Sequence, residues 1–206
     1  AAPYGVKPIF TDLEEMAATD KIDAVYIASP NKLHIEQARV FLEHGKHVIC
    51  EKPLSAHAKD VAELQALAKE RGLIYLEAIM FMHLPQRKLL EEALKKIGDI
   101  SVAKIDFCQR SSKYDAYLAG SLPNIFNPAL ETGALMDLGV YCVYPALYLF
   151  GNPQNTLAVS HLLASGADGS DIVAMQYPDK LVNLVFSKVG QAGANTDFQG
   201  TNGTVS

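Results

Sequence analysis

Val48-Ile49-Cys50-Glu51-Lys52-Pro53-Leu54-Ser55 is the stretch of this sequence that decides the fold. Its first three residues are apolar, which is typical of a short buried strand. Pro53 fixes its own φ angle and favours an extended conformation at Lys52, so the strand ends in a rigid turn. Ligands bind at the carboxyl ends of the strands in an open α/β sheet. Lys52, held on a turn at such an end, is therefore a candidate catalytic residue.

Strand and helix signals alternate on both sides of this stretch. Apolar runs predict strands at residues 24–28, 47–50 and 73–76, and helical periodicity predicts helices between them that Asn31 and Ser55 cap. Strands joined by helices in this rhythm form a parallel sheet with crossover connections. The sequence therefore predicts an α/β domain over its first part.

The pattern changes near Ile79, where we place a domain boundary between residues 1–79 and residues 80–206. The elements predicted after it are a helix from Pro85, a strand at 100–108, a long helix at 133–150 and strands at 156–164, 171–177 and 181–188. The short turn before the last strand indicates an antiparallel meander. We predict an α+β domain with an open, mainly antiparallel sheet.

The long helix predicted at 133–150 has two chemically different sides. At about 100° per residue, one narrow stripe consists of Asp137, Tyr141, Tyr144 and Tyr148. The opposite side is aliphatic and belongs to a core. A polar and aromatic stripe of this kind faces solvent, another domain or a ligand.

The composition argues against several classes of partner. The chain has 206 residues and a formal net charge of -5, which disfavours nucleic acid and anionic membranes. No apolar run approaches the length needed to span a bilayer, and no signal peptide is visible. Cys50, Cys108 and Cys142 lack the spacing of a zinc site or a disulfide frame and indicate reduced thiols in a cytoplasmic protein. The histidines have no ligand-like spacing either, so we assign no metal site.

Five short motifs follow one another along the chain. They are Ser29-Pro30-Asn31 with His34, Glu51-Lys52-Pro53, Glu77-Ala78, Gly133-Ala134-Leu135-Met136-Asp137-Leu138-Gly139-Val140-Tyr141 and Gly200-Thr201-Asn202-Gly203-Thr204. Glu-Lys-Pro alone is a weak signal, but its spacing from the Pro-Asn-x-x-His and Asp-x-Gly motifs makes the combination specific. In this order, the motifs resemble the glucose–fructose oxidoreductase/inositol dehydrogenase family (Gfo/Idh/MocA). The resemblance spans the whole chain.

The resemblance implies the C-terminal part of a Rossmann-type domain that binds NADP or NAD, followed by a domain that holds a sugar, polyol or dihydrodiol. The family's catalytic roles fall on Lys52 and Tyr141, and Asp137 would bind substrate. Cofactor contacts are expected from Ser29, Pro30, Asn31, His34, Glu51, Lys52 and Pro53. Most members have histidine where this chain has Tyr141, and tyrosine there resembles the branch of dihydrodiol and xylose dehydrogenases. A homodimer or higher homo-oligomer is also implied.

Three departures from the family pattern lead to further expectations. The sequence has no opening strand with a G-x-G-x-x-G turn, and it ends soon after the turn at residues 200–204. We therefore expect an internal part of a longer enzyme, in which the residue that chooses between NAD and NADP lies outside this sequence. Glu131 and Thr132 replace two glycines usual in the family, which affects the backbone contacts expected to substrate.

The expected chemistry is hydride transfer from a secondary alcohol, which leaves a carbonyl and requires an acceptor for the hydroxyl proton. A free phenol titrates near ~10 and is a poor base at neutral pH, whereas a nearby ammonium favours the phenolate. The resemblance therefore predicts that Lys52 and Tyr141 work as a pair, in which tyrosine moves the proton. Two alternatives stay open: an NAD-dependent glycosidase of the same family, and a non-catalytic sensor of sugars or dinucleotides.

Each candidate residue also has a plain structural interpretation. Lys52 would then be a solvated strand end, and Tyr141 a tyrosine of a domain interface. We interpret His34, near a helix start, as a structural or cofactor-edge contact rather than as a base. Six residues that alternate along the last two strands are expected on an exposed, dimer-forming sheet face. They are Val173, Met175, Tyr177, Val182, Leu184 and Phe186.

Overall fold

The computed structural model describes residue 5, residues 9–193 and residues 195–206. The chain divides into two compact units, of which the first ends at Ala78 and the second begins at Ile79. Residues 1–4 and 6–8 of the predicted first domain lie outside the described residues. The roles assigned to the two predicted domains stay predictions.

The first unit is a parallel sheet with helices between its strands. Its elements are α1 (Leu13–Ala18), β1 (Ala24–Ile27), α2 (His34–Glu43), β2 (His47–Cys50), α3 (Ala58–Glu70) and β3 (Tyr75–Glu77). β2 lies between β1 and β3 and pairs with both in parallel. The register places Ile27 beside Cys50 and Cys50 beside Glu77, so the three strands end in one row. The predicted α/β arrangement is confirmed.

Two helix starts differ from the prediction. α3 begins at Ala58 rather than after a Ser55 cap, because the Ser55 hydroxyl accepts a hydrogen bond from the His57 amide (2.9 Å) and the segment stays a turn. α2 begins at His34, and a 3-10 turn at Asn31–Leu33 precedes it. Serine and asparagine side chains bond nearby backbone groups in several ways, so their presence alone does not fix a helix start.

The second unit is a sheet with helices packed on one face. After a 3-10 turn at Met80–His83, its elements are α4 (Gln86–Leu94), β4 (Ile100–Cys108), α5 (Tyr114–Leu118), α6 (Val140–Phe150), β5 (Asn155–Leu162), β6 (Asp168–Gln176), β7 (Leu181–Ser187), β8 (Asp197–Gly200) and β9 (Gly203–Val205). The strand order is β5-β6-β7-β4-β8-β9. Among these strands, β4 and β7 pair in parallel and the other pairs are antiparallel. The predicted open, mainly antiparallel sheet is confirmed.

The long helix predicted at 133–150 is irregular in its first part. A π-helical turn at Leu135–Gly139 precedes α6, and the Val140 amide donates to the Leu135 carbonyl within it. Gly139 packs directly on the Phe186 ring of β7, since a Cβ atom at this glycine would lie 2.7 Å from that ring. π turns inside helices are rare and are frequent at functional sites.

The apolar alternation of β6 and β7 belongs to the core and not to an exposed face. All six residues for which exposure was expected are buried: Val173, Met175, Tyr177, Val182, Leu184 and Phe186. α6 covers this face, and its residues Cys142 and Ala146 are fully buried there. The opposite face carries the exposed apolar side chains Leu157, Val159, Ile172 and Leu181. The predicted choice of face is wrong, because alternation shows which residues share a face but not which face is covered.

The segment Pro128–Phe150 is long and apolar enough to cross a membrane by length and composition alone. The prediction that no apolar run approaches this length is therefore wrong. The α6 part of the segment contributes Cys142, Pro145 and Ala146 to the buried residues of the second unit. Because a core helix meets the same two criteria, this segment is weak evidence for a membrane span.

Candidate active site

The Glu51-Lys52-Pro53 turn follows the middle strand of the first unit, at the row of strand ends. The Glu51 amide donates to the Ile27 carbonyl (2.9 Å), and the Lys52 amide donates to the Glu51 carboxylate (3.2 Å). The peptide bond between Lys52 and Pro53 is cis, and Lys52 is half-buried. The turn therefore presents a lysine at the carboxyl edge of a parallel sheet, where ligands bind in such folds.

Side chains from both neighbouring strands hold this turn. The Tyr26 hydroxyl of β1 donates to the Glu51 carboxylate. Glu77, at the end of β3, accepts a hydrogen bond from the Leu54 amide (3.1 Å). Hydrogen bonds to a carboxylate are roughly twice as strong as neutral ones, so two charged groups fix the backbone on either side of Lys52.

His34 connects this turn with the turn that follows β1. Its side chain is fully buried, with Nδ1 2.8 Å from the Pro53 carbonyl oxygen and Nε2 2.9 Å from the Ser29 carbonyl oxygen. The Ser29 hydroxyl in turn donates to the Gln37 side chain (2.7 Å). Because both ring nitrogens face backbone carbonyls, the geometry favours the structural interpretation of His34 over a direct cofactor contact.

Burial keeps two thiols uncharged. It raises the pKa of Cys50 to about 12, and the carboxylates of Glu77 and Glu51 add to this shift. Burial also raises the pKa of Cys142, in the second unit, to about 12. Both thiols are protonated at neutral pH and supply neither charge nor nucleophile. In the part of the chain that the structure describes, no group of three His, Cys, Asp or Glu side chains could hold a metal ion.

In the second unit, Asp137 of the π turn forms an ion pair with Lys188. Lys188 directly follows β7, and 8% of its side chain is exposed, against 28% for Asp137. The backbone of Lys188 is held on both sides: its amide donates to the Gly169 carbonyl (2.9 Å), and its carbonyl accepts from the Ser111 amide (2.8 Å). A fixed cation thus stands beside the predicted substrate-binding carboxylate.

Tyr141 packs near the same strand ends. Its ring meets the Phe107 ring of β4 edge-on, with centroids 5.6 Å apart and an interplanar angle of 71°. Phe107 pairs in register with Phe186, the residue on which Gly139 of the π turn packs. Tyr141 and Phe107 also line a mostly apolar cavity of about 380 Å³, together with Phe198.

The polar stripe predicted for this helix is divided among different partners. The Tyr148 hydroxyl donates to the Glu91 carboxylate of α4 (2.7 Å), and the Arg87 guanidinium donates to the same hydroxyl. Asp137 instead pairs with Lys188 after β7, and Tyr141 packs on Phe107 of β4.

Asp168, at the start of β6, caps the π turn. Its carboxylate accepts a hydrogen bond from the Leu135 amide (2.6 Å). It occupies the space that a side chain at Gly133 would need, since a Cβ atom there would lie 1.8 Å from the carboxylate oxygen. A carboxylate at a helix N-terminus is also favoured by the helix dipole. Glycine at position 133 is therefore required by a close approach.

Two protein-family profiles match the chain. The profile of the oxidoreductase family with an NAD-binding Rossmann fold, GFO_IDH_MocA, matches residues 1–79, and the profile of the GFO/IDH/MocA C-terminal domain matches residues 87–206. The chain belongs to the GFO/IDH/MocA family. The resemblance predicted from the sequence motifs is confirmed.

Curated GFO/IDH/MocA relatives are similar along almost the whole chain. The NADP-dependent scyllo-inositol 2-dehydrogenase IolU of Bacillus subtilis is 45% identical over 205 residues, which cover 100% of this chain and 62% of IolU. The trans-1,2-dihydrobenzene-1,2-diol dehydrogenase of Oryctolagus cuniculus is 31% identical over 208 residues, which cover 98% of this chain and 61% of that enzyme. The chain thus spans about three-fifths of the length of these relatives.

A solved structure shows the same fold. The crystal structure of KijD10, a 3-ketoreductase from Actinomadura kijaniata in complex with NADP and TDP-benzene, superposes with a TM-score of 0.85 at 27% sequence identity. The match covers 97% of this chain and 61% of KijD10. The predicted fold class is confirmed, with a Rossmann-like parallel sheet followed by a mainly antiparallel one.

Sequence reasoning selected Lys52, Asp137 and Tyr141 in this GFO/IDH/MocA chain but missed Lys188 and Asp168. Lys188 follows an apolar strand in the same way as Lys52, so the same signal was available for it. Asp168 lies 33 residues from its partner Leu135, and local sequence contains no signal for such a cap.

Proposed function

We propose that this protein is an NAD(P)-dependent dehydrogenase or reductase that transfers hydride between the nicotinamide and a secondary alcohol or carbonyl of a polyol, sugar or dihydrodiol. The observation that carries the proposal is the position of Lys52 in a chain of this oxidoreductase family. It lies on a turn fixed by two carboxylates at the carboxyl edge of a parallel sheet. The substrate class is supported by the names of the relatives, an inositol dehydrogenase and a dihydrodiol dehydrogenase.

The carboxyl edge of the first unit fits a dinucleotide, because polar turns follow both β1 and β2 there. The residues proposed to hold the cofactor are Ser29, Pro30, Asn31, Glu51, Lys52 and Pro53, with His34 bracing them from the buried side. A bound nicotinamide supplies the acceptor or donor of the hydride. NADP is the first cofactor to test, since IolU is named for it and KijD10 was crystallised with it; NAD is the second.

We assign three roles to side chains of this chain. Tyr141 accepts the hydroxyl proton of the alcohol, and Lys52 contacts the substrate oxygen. Asp137 accepts hydrogen bonds from substrate hydroxyls. The packing of Tyr141 against Phe107 and the ion pair of Asp137 support fixed positions for both groups, while their roles rest on the family resemblance.

Turnover by the full-length protein tests the proposal directly. Scyllo-inositol, xylose and a trans-dihydrodiol are each supplied with NADP⁺ or NAD⁺, and the absorbance of the reduced nicotinamide is followed. Tyr141→Phe removes one hydroxyl and Lys52→Met removes one charge, and each is expected to lower kcat/KM by roughly 10²–10⁴-fold. Tyr148→Phe is the matched control, since its hydroxyl bonds Glu91, and should retain wild-type kcat/KM.

The outcomes separate the function classes. Wild-type kcat/KM in both Tyr141→Phe and Lys52→Met would refute the proposed chemistry. Hydrolysis of a glycoside with no net reduction of NAD would identify the glycosidase alternative. Binding of the nucleotide without any turnover would identify a sensor.

We also propose that the open face of the second sheet forms a homo-oligomer interface. Val159 and Ile172 are paired across β5 and β6, and they are 67% and 53% exposed. Leu157 beside them is 68% exposed, and contiguous exposed apolar residues mark interaction surfaces. Ile172→Glu is expected to convert the oligomer to monomers in light scattering. A wild-type monomer at micromolar concentration would refute this interface.

We also propose a cytoplasmic location, and the support for it is the state of the cysteines. Cys50, Cys108 and Cys142 are all free thiols, and free thiols persist in reducing compartments. Fluorescence microscopy of a tagged full-length protein tests this, and an extracytoplasmic signal would contradict it.

A further inference from the structure

Lys188 is buried, and its ammonium forms an ion pair with Asp137, a predicted functional side chain. We propose that Lys188 is a positioning residue for substrate binding, which fixes the orientation of the Asp137 carboxylate. The inference rests on the proposed function, in which Asp137 binds substrate hydroxyls.

The first argument is that Lys188 has little freedom to move its ammonium away from Asp137. The amide and carbonyl of Lys188 are both hydrogen-bonded, to Gly169 and Ser111. Its side chain is 8% exposed and ends on the Asp137 carboxylate. A buried ammonium is costly without a partner, so the pair holds together as long as the unit is folded.

The second argument is that the backbone of Asp137 is also fixed. The π turn is capped at one end by Asp168, which accepts from the Leu135 amide (2.6 Å). At its other end, Gly139 packs directly on the buried Phe186 ring. The remaining freedom of Asp137 is its side-chain rotation, and the bond to Lys188 restricts this rotation.

The third argument is that Lys188 points to the same side of the sheet as the residues that hold Tyr141. Lys188 bonds Asp137 of the π turn, and Gly139 of the same turn packs on Phe186, so both Lys188 and Phe186 meet the helical side of the sheet. Phe107, which contacts the Tyr141 ring, is paired with Phe186 on this side. The cation therefore orients Asp137 from the sheet, at the strand ends where Tyr141 is held.

A positioning role and a purely structural role predict different kinetics. Loss of an interaction that orients a substrate-binding group raises KM more than it lowers kcat. Loss of a structural ion pair lowers the thermal midpoint but leaves KM of the folded enzyme unchanged. The test is therefore the KM for scyllo-inositol at saturating NADP⁺, with the thermal midpoint measured in parallel.

Lys188→Met in the full-length protein is expected to raise this KM at least about tenfold, the usual effect of losing a hydrogen bond to a charged group. Lys188→Arg should restore part of the loss, because it keeps the cation. In an Asp137→Asn background, Lys188→Met should change KM less than about twofold, because the carboxylate that Lys188 positions is absent there. This double variant removes both charges, so it also remains informative if Lys188→Met alone fails to fold.

Lys180→Met is the matched control. Lys180 also has a mostly buried side chain, 15% exposed, and its ammonium also bonds a carboxylate, that of Asp179 at 2.6 Å. It lies in the turn before β7 rather than after it, and its substitution should leave KM unchanged.

Three results would overturn the inference. An unchanged KM in Lys188→Met, in an enzyme that Tyr141→Phe inactivates, would leave the proposed function standing and make Lys188 purely structural. An equal rise of KM in the wild-type and Asp137→Asn backgrounds would show that Lys188 acts independently of Asp137. A wild-type protein without nicotinamide-dependent turnover would remove the proposed function and this inference together.

Discussion

The substitution Gly133→Ala tests how the helix that carries Asp137 and Tyr141 is anchored. Gly133 has a φ angle of +152°, and a Cβ atom at this position would lie 1.8 Å from a carboxylate oxygen of Asp168. This contact cannot be tolerated, so the carboxylate has to leave the Leu135 amide that it caps. The substitution therefore removes a cap and strains the backbone at once.

The two costs can be worked out separately. Losing an N-terminal cap costs about 0.5–2 kcal/mol, and an unfavourable φ for a residue other than glycine costs about 1–3 kcal/mol. We expect Gly133→Ala to lower the free energy of unfolding by roughly 2–4 kcal/mol. Gly151→Ala is the matched control: its φ is +73° and nothing lies within 4 Å of a Cβ atom there, so it bears the backbone cost alone, about 1–3 kcal/mol.

Urea-induced unfolding of the full-length protein, followed by circular dichroism, measures these free energies. Asp168→Ala alone should cost about 1–2 kcal/mol, and in its background Gly133→Ala should cost no more than Gly151→Ala, since the cap is already lost. If Gly133→Ala and Asp168→Ala proved additive, or if Gly133→Ala cost no more than Gly151→Ala in the wild type, the assignment of Asp168 as the cap would be wrong.

Three further predictions concern buried side chains. His34→Gln should lower the free energy of unfolding by roughly 2–4 kcal/mol in urea, because the buried ring bridges two backbone carbonyls; an unchanged midpoint would contradict this bridge. Burial raises the pKa of Asp171 to about 6, so this carboxyl binds its proton more tightly in the folded state than in the unfolded state. The free energy of unfolding therefore falls as the pH rises through about 4 to 6. Asp171→Asn should therefore stabilise the protein by up to about 3 kcal/mol near pH ~8 and leave it unchanged below pH ~4 in thermal unfolding, and a pH-independent effect would contradict this. In the native protein, iodoacetamide should modify the half-buried Cys108 before Cys50 and Cys142, as mass spectrometry can show; faster labelling of either buried thiol would be the opposite result.

Local signals in the sequence were sufficient for most of the strands and for the sheet types, but β8 and β9 were not predicted. Apolar runs bounded by turn residues located β2 and β4 with the bounds that the structure has, His47–Cys50 and Ile100–Cys108. The turn at residues 200–204, which only the family resemblance indicated, is a tight connection between β8 and β9. These features depend on neighbouring residues, which is why a single sequence reveals them.

Features that depend on contacts between residues far apart in the sequence could not be predicted from local signals. The π turn is fixed by Asp168 and Phe186, which lie far along the chain from Leu135–Gly139. The covered face of the sheet is decided by where α6 packs, which alternation does not specify. Lys188 and Asp137 are 51 residues apart, and their pairing became visible only with the fold.

The parallel pairing of β4 and β7 is the feature that makes a joint presentation of Asp137 and Tyr141 possible. Because both strands run in the same direction, Cys108 lies beside Ser187, and the residues after them emerge at one edge. In an antiparallel pair, Lys188 would lie at the opposite end of β4 from Phe107, and one helix turn could not contact both. A register shift of two residues would move Lys188 roughly 6.6 Å along the strands relative to Phe107, which exceeds the reach of one ion pair. The register of this strand pair, more than the helix itself, therefore determines whether the two predicted functional side chains of the second unit can be held at the same edge.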